Sequence, residues 1–302
     1  MLQTYDPRNA DVIVNINGRL VHRNAAGVSP FDSAVQNGDA VWEGLRLYNG
    51  RIFLLRQHLD RLRKSAAMLG YQGYPSDDSF IAELKRTLAA NKMTDGVHIR
   101  LTISRGVKYT SGLDPRLNTA GCSLIILPEF KPPVFDKSGI TLITARVRRP
   151  LANVLDQHIH SCNQLTSILA KQQATAAGAD DALLLDPHGF VAETSSTHVF
   201  CVKQGRVITP TTRACPEGIT RAGVLELCMR EAIFHEVRDI TLDEFADADE
   251  AFCTGTMGEL VPIKRLDARD YPAPCPGPMC RRLTELFGVM TRDPLEGIAV
   301  VE

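Results

Sequence analysis

The chain has 302 residues, of which 44% are hydrophobic and 23% are charged, and its formal net charge is −1. This composition is typical of a globular protein long enough for two domains, and it gives no electrostatic case for binding nucleic acid or an anionic membrane. No apolar run reaches the roughly 20 residues that span a bilayer, and we expect no signal peptide because the start lacks a basic segment followed by an apolar one. Eight scattered cysteines without a CxxC pair indicate reduced thiols and a cytoplasmic protein.

The first 130 residues predict a small α/β domain. Asn17-Gly18 between two short apolar runs is a strong hairpin signal, and strict alternation over Val97–Ser104 predicts a half-buried strand. A leucine-rich face followed by Gly70 predicts one helix, and Ser76 is placed to cap a second. The predicted strands are Ile13–Ile16, Arg19–His22, Asp39–Tyr48, Arg51–Leu55, Val97–Ser104 and Ser123–Leu127, with helices carrying Leu55 to Leu69 and Phe80 to Leu88.

The segment Pro128–Gly139 contains three prolines and has no periodicity. We therefore predict a linker at residues 131–138, between a small domain of residues 1–130 and a larger one of residues 139–302. The predicted elements of the larger domain are strands Ile140–Val147, Ala182–Asp186, Val191–Glu193, His198–Val202, Arg206–Ile208, Ala251–Cys253 and Leu260–Ile263, and helices at 163–177, 220–231 and 280–290. The predicted class is α+β.

Three features point to a phosphate-bearing ligand. Gly218-Ile219-Thr220 stands at a helix start, where free backbone N–H groups attract anions, although an ordinary helix cap explains the same residues. Thr254-Gly255-Thr256 after a strand is a second candidate anion loop. Arg46 lies in an otherwise apolar strand, where a guanidinium needs an anionic partner unless it extends to the surface.

Four segments, in order and spacing, resemble the class IV aminotransferases, the family of the branched-chain and D-amino acid aminotransferases and aminodeoxychorismate lyase. The segments are NGDAVWEGLRLYNGRIFLLRQHLDRLRKSA, AGADDALLLDPHGFVAETSSTHVF, GITRAGVLEL and DEAFCTGTMGELVPI. The resemblance runs from about Ile13 to about Met290. It implies fold type IV, with a small α/β domain and a larger pseudo-barrel domain, pyridoxal 5′-phosphate as cofactor, amino-group transfer between an amino acid (or amine) and a 2-oxo acid, and a homodimer.

The resemblance also assigns site residues. Glu193 would pair with the pyridine nitrogen, where a carboxylate keeps the ring protonated and able to accept electrons. The other implied cofactor-binding residues are Arg46, Asn163, Ile219, Thr220 and Thr256. The implied substrate-side residues are Trp42, Arg100, Met257 and Gly258. Arg100 and Arg105 equally suit a solvated strand face, and Trp42 equally suits packing within the small domain.

One position departs from the family pattern. Where the family has I-K-S-x-N-Y-L, with the lysine that bonds covalently to the cofactor, this chain has Ile159-His160-Ser161-Cys162-Asn163-Gln164-Leu165. His160 therefore occupies the lysine position, and Gln164 replaces the tyrosine that in the family approaches the phenolic oxygen of the cofactor. Lys171 cannot replace the lysine, because it lies roughly 16 Å further along the predicted helix at about 1.5 Å per residue.

Several hypotheses follow from His160. The chain binds the cofactor non-covalently and transaminates, with His160 as the catalytic residue that carries the proton in the lysine's place. Alternatively, it binds the cofactor or another phosphate ligand without transaminating, or His160 is a buried histidine with satisfied hydrogen bonds. The main hypothesis includes no metal site. As an alternative, His158, His160 and Cys162 would share one face of an extended segment and could be a set of metal ligands.

Overall fold

The computed structural model describes residues 3–300. Contacts between Cα atoms divide the chain into two units, which are described separately. The N-terminal unit comprises residues 3–132, Ile159–Asn163 and residues 291–300. The C-terminal unit comprises Pro133–His158 and Gln164–Met290. Residues 139–302 were predicted to form one domain, and the division by contacts differs from this prediction at two places. Residues 159–163 join the N-terminal unit because they bridge to one strand of its sheet. The last strand of the chain joins it because that strand pairs with another strand of the same sheet.

The N-terminal unit is built on a seven-stranded antiparallel sheet with the strand order β16-β4-β3-β5-β6-β1-β2. Its strands are β1 (Ile13–Ile16), β2 (Arg19–His22), β3 (Ala40–Tyr48), β4 (Arg51–Phe53), β5 (Val97–Ser104), β6 (Ser123–Phe130) and β16 (Gly297–Ala299). Its helices are α1 (Ser33–Asn37), α2 (Leu55–Met68) and α3 (Asp77–Ala90). Inward-facing residues of β3 and β5 form a continuous apolar core with the leucines of α2 and α3.

The C-terminal unit contains a nine-stranded mixed sheet with the order β12-β11-β10-β13-β14-β7-β8-β9, and β15 pairs with β14. Its strands are β7 (Ile140–Arg148), β8 (Asp181–Leu185), β9 (Val191–Thr194), β10 (His198–Lys203), β11 (Arg206–Thr209), β12 (His235–Val237), β13 (Glu250–Gly255), β14 (Glu259–Leu266) and β15 (Arg269–Asp270). Its helices are α4 (Ala152–Leu155), α5 (Leu165–Ala176), α6 (Ile219–Arg230), α7 (Leu242–Ala246) and α8 (Pro278–Met290). The Thr194 N–H donates to the Thr197 carbonyl, which links the last strand of this order, β9, to β10 and curls the sheet toward a half-barrel.

Local sequence signals explain several boundaries. The hairpin at Asn17-Gly18 is confirmed, and both turn residues have the positive φ that this turn requires, 52° and 78°. The Ser76 hydroxyl accepts a hydrogen bond from the Ser79 N–H and begins α3, as predicted. The prediction that β6 ends at Leu127 was wrong, because the strand continues through Pro128, opposite Ile99, to Phe130. Within the described residues, no helix is both long enough and apolar enough to span a membrane.

Candidate active site

The segment Ile159–Asn163 lies along β3 in the N-terminal unit. Val41 and Ser161 form an antiparallel bridge, the Trp42 N–H donates to the His160 carbonyl at 3.1 Å, and the Cys162 N–H donates to the Ala40 carbonyl at 2.7 Å. The backbone N–H of His160 also donates to the Ser65 hydroxyl at 3.0 Å. The residue at the lysine position is therefore fixed by hydrogen bonds on both sides of its backbone.

The side chain of His160 is held in one tautomer. Its Nδ1 lies 2.5 Å from the Trp42 carbonyl oxygen, and since a carbonyl only accepts, we assign the ring proton to Nδ1. Burial lowers the pKa of His160, and the neighbouring Arg61 guanidinium lowers it further. The imidazole is therefore neutral, and Nε2 carries the lone pair that makes it a base. The ring also stacks on the indole of Trp42, with centroids 4.6 Å apart.

A buried carboxylate lies beneath His160. Glu43 is fully buried, with its oxygens 2.6 Å from His58 Nδ1, 2.7 Å from Arg61 Nη2 and 3.5 Å from His160 Nδ1. Burial by itself raises the pKa of Glu43, but Arg61 and His160 outweigh it and hold that pKa well below 4.5. The sequence analysis missed this cluster, although an acidic residue in the apolar run of β3 was a readable signal for a buried partner.

Of the two predicted substrate-side residues of the N-terminal unit, Trp42 stacks on His160, and Arg100 contacts Trp42 and Cys162. The Arg100 guanidinium lies 3.9 Å from the Trp42 ring centroid, and its Nη2 lies 3.6 Å from Cys162 Sγ. Strand register explains the grouping, because Arg100 is paired with Gly44 on one side of β3 and Ser161 is bridged to Val41 on the other. Arg105 lies elsewhere, since it pairs with Asp39 at 2.6 Å.

The predicted phosphate-binding arginine, Arg46, already has partners within the N-terminal unit. Its Nη1 donates to the Lys131 carbonyl at 2.5 Å, and its guanidinium lies 5.8 Å from the Tyr48 ring centroid. Arg61 is the arginine beside the lysine position, with Nη2 3.5 Å from His160 Nδ1, and 12% of its side chain is exposed. Phosphate binding by Arg46 remains a prediction, and Arg61 is a second candidate for that role.

In the C-terminal unit, Glu193 lies on β9 with 5% of its surface exposed. Its Oε1 lies 2.9 Å from Nε of Arg149, which is buried to a similar extent. Arg149 Nη2 donates to the Ser167 hydroxyl at 2.8 Å, and that hydroxyl donates to the side-chain oxygen of Gln164 at 3.2 Å. Arg149, which the sequence analysis missed, thus links Glu193 to the residue at the family's tyrosine position.

The start of α6 packs closely against His198. Gly218 is its N-cap and makes no side-chain cap, and Thr220 in the first turn is buried. A Cβ atom at Gly218 would lie 2.1 Å from Cδ2 of His198, so only glycine fits there. His198 Nδ1 in turn lies 3.8 Å from Cys215 Sγ, and ligand atoms of His198, Cys215 and Glu193 lie within 4.8 Å of one another. The α6 N-terminus and the Glu193 carboxylate therefore belong to one site.

The remaining predicted residues lie in turns. Thr256, Met257 and Gly258 form the turn between β13 and β14, where the Gly258 N–H donates to the Gly255 carbonyl at 3.2 Å. Lys137 Nζ lies 2.6 Å from the Gly258 carbonyl oxygen. Asn163 is exposed at the end of the bridged segment, and its N–H donates to the Ser161 hydroxyl.

The alternative metal set of His158, His160 and Cys162 is not supported. His158 Nδ1 is paired with Asp156 at 2.8 Å. Across residues 3–300, the one group of three or more His, Cys, Asp or Glu side chains close enough to share an ion is Glu193, His198 and Cys215. Lys171 donates to the Asp180 carbonyl oxygen, so its amine has a partner within the C-terminal unit.

Comparison with known proteins places this site in a family. Residues 40–266 match the family model described as amino-transferase class IV. A branched-chain-amino-acid aminotransferase-like protein 2 of Arabidopsis thaliana is 47% identical over 94% of this chain and 51% of its own length. A putative branched-chain-amino-acid aminotransferase of Methanocaldococcus jannaschii is 38% identical over 91% and 94%. The chain spans about half the length of the Arabidopsis relatives that it matches.

Solved structures agree with the sequence comparison. The T.th. branched-chain amino acid aminotransferase with pyridoxamine 5′-phosphate is similar with a TM-score of 0.89 and 30% identity, over 96% of this chain and 99% of that one. This chain belongs to the class IV aminotransferases, and its predicted fold type IV architecture is confirmed.

The cofactor of this family is pyridoxal 5′-phosphate, and residues of the C-terminal unit fit it. The α6 N-terminus has no side-chain cap and is open to a phosphate, while Gly218 keeps the backbone close to His198. Glu193 is buried and balanced by Arg149, as an acceptor for a pyridinium N–H must be. Position 160 alone does not fit covalent attachment, because an imidazole forms no imine.

Proposed function

We propose that this chain binds pyridoxal 5′-phosphate non-covalently and transfers an amino group between an amino acid (or amine) and a 2-oxo acid. The observation that carries the proposal is the state of His160. It stands at the lysine position as a neutral imidazole whose Nδ1 proton is held by the Trp42 carbonyl, which leaves Nε2 as a base. A base at this position is what proton transfer in transamination requires.

Several residues are expected to hold the cofactor. Glu193 would accept the pyridine N–H, and the N–H groups of Ile219 and Thr220 would bind the phosphate. Thr256 and Asn163 are further residues expected to bind the cofactor. Arg46 or Arg61 would add a cation to the phosphate site. When bound, the cofactor supplies an electron-accepting ring. Holding it rests on hydrogen bonds and ion pairs alone, because His160 cannot bond to it covalently.

The residues expected to act on the substrate are His160, Trp42, Arg100, Met257 and Gly258. Nε2 of His160 would receive a proton from the substrate carbon and return it to the cofactor side. Arg100 would bind a carboxylate group of the substrate, and the backbone at Met257 and Gly258 would face the substrate carboxylate. Arg100 is already held against Trp42 at 3.9 Å, so little conformational entropy is lost when it binds an anion.

A second candidate function follows from the absence of a lysine at position 160. Without that lysine the chain lacks the usual route for exchanging cofactor and substrate amines. A homologue that binds the cofactor, or another phosphate ligand, without transaminating has the same phosphate and pyridine contacts. Only an assay of the amino-transfer half-reaction separates the two functions.

The proposal includes a homodimer in the cytoplasm. On α5, Leu165, Ile168 and Leu169 are 61%, 52% and 41% exposed, and Val154 on α4 is 77% exposed. A surface patch of this kind favours burial against a second copy. The eight cysteines are all free, which suits a reducing compartment. Light scattering of the purified chain tests the dimer, and a Leu165→Glu, Ile168→Glu variant is expected to be monomeric.

The test of function is a single-turnover assay with purified protein and stoichiometric pyridoxal phosphate. An amino donor is expected to convert the bound cofactor to pyridoxamine phosphate, and borohydride is expected to attach no pyridoxyl group to residue 160. His160→Gln is expected to slow conversion by about 10² to 10⁴-fold with cofactor affinity nearly unchanged, as loss of an acid–base group does. The matched control is His188→Gln in the exposed β8–β9 turn. Cofactor binding without conversion by any donor would leave only the second function.

A further inference from the structure

Glu193, His198 and Cys215 come from three different parts of the C-terminal unit. Glu193 is on β9, His198 begins β10, and Cys215 precedes α6. Their exposed fractions are 5%, 9% and 1%, and one ligand atom from each lies within 4.8 Å of the other two. The proposed amino transfer uses Glu193 and gives neither His198 nor Cys215 a role.

The orientation of His198 places one ring nitrogen toward the thiol. The Cδ2–Nε2 edge of the ring packs against Gly218, while Nδ1 lies 3.8 Å from Cys215 Sγ. Zinc–sulfur and zinc–nitrogen bonds of about 2.3 and 2.0–2.1 Å at a tetrahedral angle put the two atoms roughly 3.6 Å apart. The observed His198–Cys215 separation is therefore within a few tenths of an ångström of the spacing that two ligands of one ion require. The Glu193 carboxylate oxygen lies within 4.8 Å of both atoms.

The donor set selects the class of ion. A thiolate, an imidazole and a carboxylate together suit borderline-soft divalent metals such as zinc and cobalt, and do not suit calcium or magnesium. Binding replaces the thiol proton, so that Cys–SH and M²⁺ give Cys–S–M⁺ and a proton released to solvent. Arg149 Nε lies 2.9 Å from Oε1 of Glu193, and an ionised carboxylate is the form that binds a metal.

We propose that Glu193, His198 and Cys215 form a binding site for a zinc-type divalent metal that competes with the cofactor for Glu193. The competition rests on the proposed function, in which Glu193 meets the pyridine nitrogen. The lysine substitution makes such competition effective. A cofactor held without a covalent bond dissociates freely, and the cofactor-free protein then presents all three ligands to an ion.

Cobalt is the probe, because a thiolate ligand gives Co²⁺ a sulfur-to-metal charge-transfer band, and tetrahedral Co²⁺ absorbs strongly in the visible. Metal-free, cofactor-free protein is titrated with Co²⁺, alongside Cys215→Ser, His198→Gln and the control Cys228→Ser, a buried cysteine on α6. One Co²⁺ per chain with both features is expected in the wild type and in Cys228→Ser. Loss of the thiolate band in Cys215→Ser and loss of tetrahedral absorption in folded His198→Gln are expected, with circular dichroism confirming the fold. Binding that is weak, octahedral or unaffected by Cys215→Ser would overturn the site.

A second titration tests the competition. With Co²⁺ at tenfold its own Kd, the apparent Kd for pyridoxal phosphate is expected to rise about elevenfold, as mass action requires for exclusive ligands. Simultaneous binding of both ligands would overturn the shared use of Glu193. Pyridoxal phosphate binding to the metal-free wild type is measured first. Its absence would contradict the proposed function, whereas the cobalt spectra decide the metal site independently.

Discussion

The Trp42 carbonyl oxygen lies 2.5 Å from Nδ1 of His160, and this contact determines which nitrogen of the imidazole is the base. The same strand supplies the stacked indole above the ring and the Glu43 carboxylate beside it. The environment of position 160 is therefore that of a positioned, neutral base.

Replacing His160 by lysine should restore covalent attachment. His160→Lys places an amine at the family's lysine position, and the Arg61 guanidinium nearby favours its uncharged, nucleophilic form. After incubation with pyridoxal phosphate and borohydride, mass spectrometry is expected to find one pyridoxyl group on residue 160. Wild type is expected to show none.

The control for this gain of labelling is His188→Lys, which adds an exposed lysine in the β8–β9 turn. It is expected to label no more than the surface lysines of the wild type. Folded His160→Lys protein that binds the cofactor without labelling would show that the cofactor does not reach position 160.

His98 should make folding sensitive to acid. Burial, with Lys131, Arg46 and Arg100 nearby, lowers the pKa of His98 from 6.5 to about 3. Between these values the unfolded chain binds a proton that the folded chain does not, so stability is present above pH 6.5 and is lost as the pH falls toward 3. The loss is expected to be on the order of a few kcal/mol. In His98→Gln, the free energy of unfolding measured with urea should fall less steeply than in the wild type as the pH decreases below 6.5.

Other groups with lowered pKa values in this unit, Glu43 and His160 among them, act in the same direction. The informative quantity is therefore the difference between wild type and His98→Gln at each pH. Parallel acid limbs for the two proteins would contradict the assignment to His98.

Local patterns predicted most elements because hairpin and cap signals lie within a few residues of what they determine. Asn17-Gly18 and Ser76 are examples. The short strands β12 and β16 were not predicted, because they are strands only through pairing with the distant strands β11 and β4. The site divides in the same way. The resemblance identified His160 and Glu193, whereas Arg149 and Arg61 could not be found without knowing which chain segments meet.

Removing one member of the Arg149–Glu193 pair should be strongly destabilising. Both groups are buried, so Arg149→Met leaves a buried carboxylate without its cation and is expected to lower the free energy of unfolding by about 3–5 kcal/mol. The double variant Arg149→Met, Glu193→Gln is expected to recover part of this loss, because no charge is then stranded. Urea unfolding of cofactor-free protein measures both. A double variant less stable than the single one would contradict the ion-pair explanation.

Two glycines of the α6 region should respond oppositely to the same substitution. A Cβ atom at Gly218 would lie 2.1 Å from Cδ2 of His198, whereas one at Gly223, inside the helix, would meet its nearest neighbour, Phe287, at 3.6 Å. Gly218→Ala must displace the imidazole and is expected to destabilise by about 1–3 kcal/mol, as overpacking does. Gly223→Ala is expected to stabilise by roughly 0.5–1 kcal/mol, since alanine favours a helix interior.

Cofactor affinity distinguishes a local effect from a global one. Gly218→Ala pushes the start of α6 away from His198 and is expected to weaken pyridoxal phosphate binding at least tenfold, because the N–H groups of Ile219 and Thr220, which are proposed to bind the phosphate, move with it. Gly223→Ala leaves those groups in place and is expected to bind as the wild type does. Equal affinities in the two variants, measured by equilibrium titration at a temperature where both are folded, would show that the α6 N-terminus does not bind the phosphate.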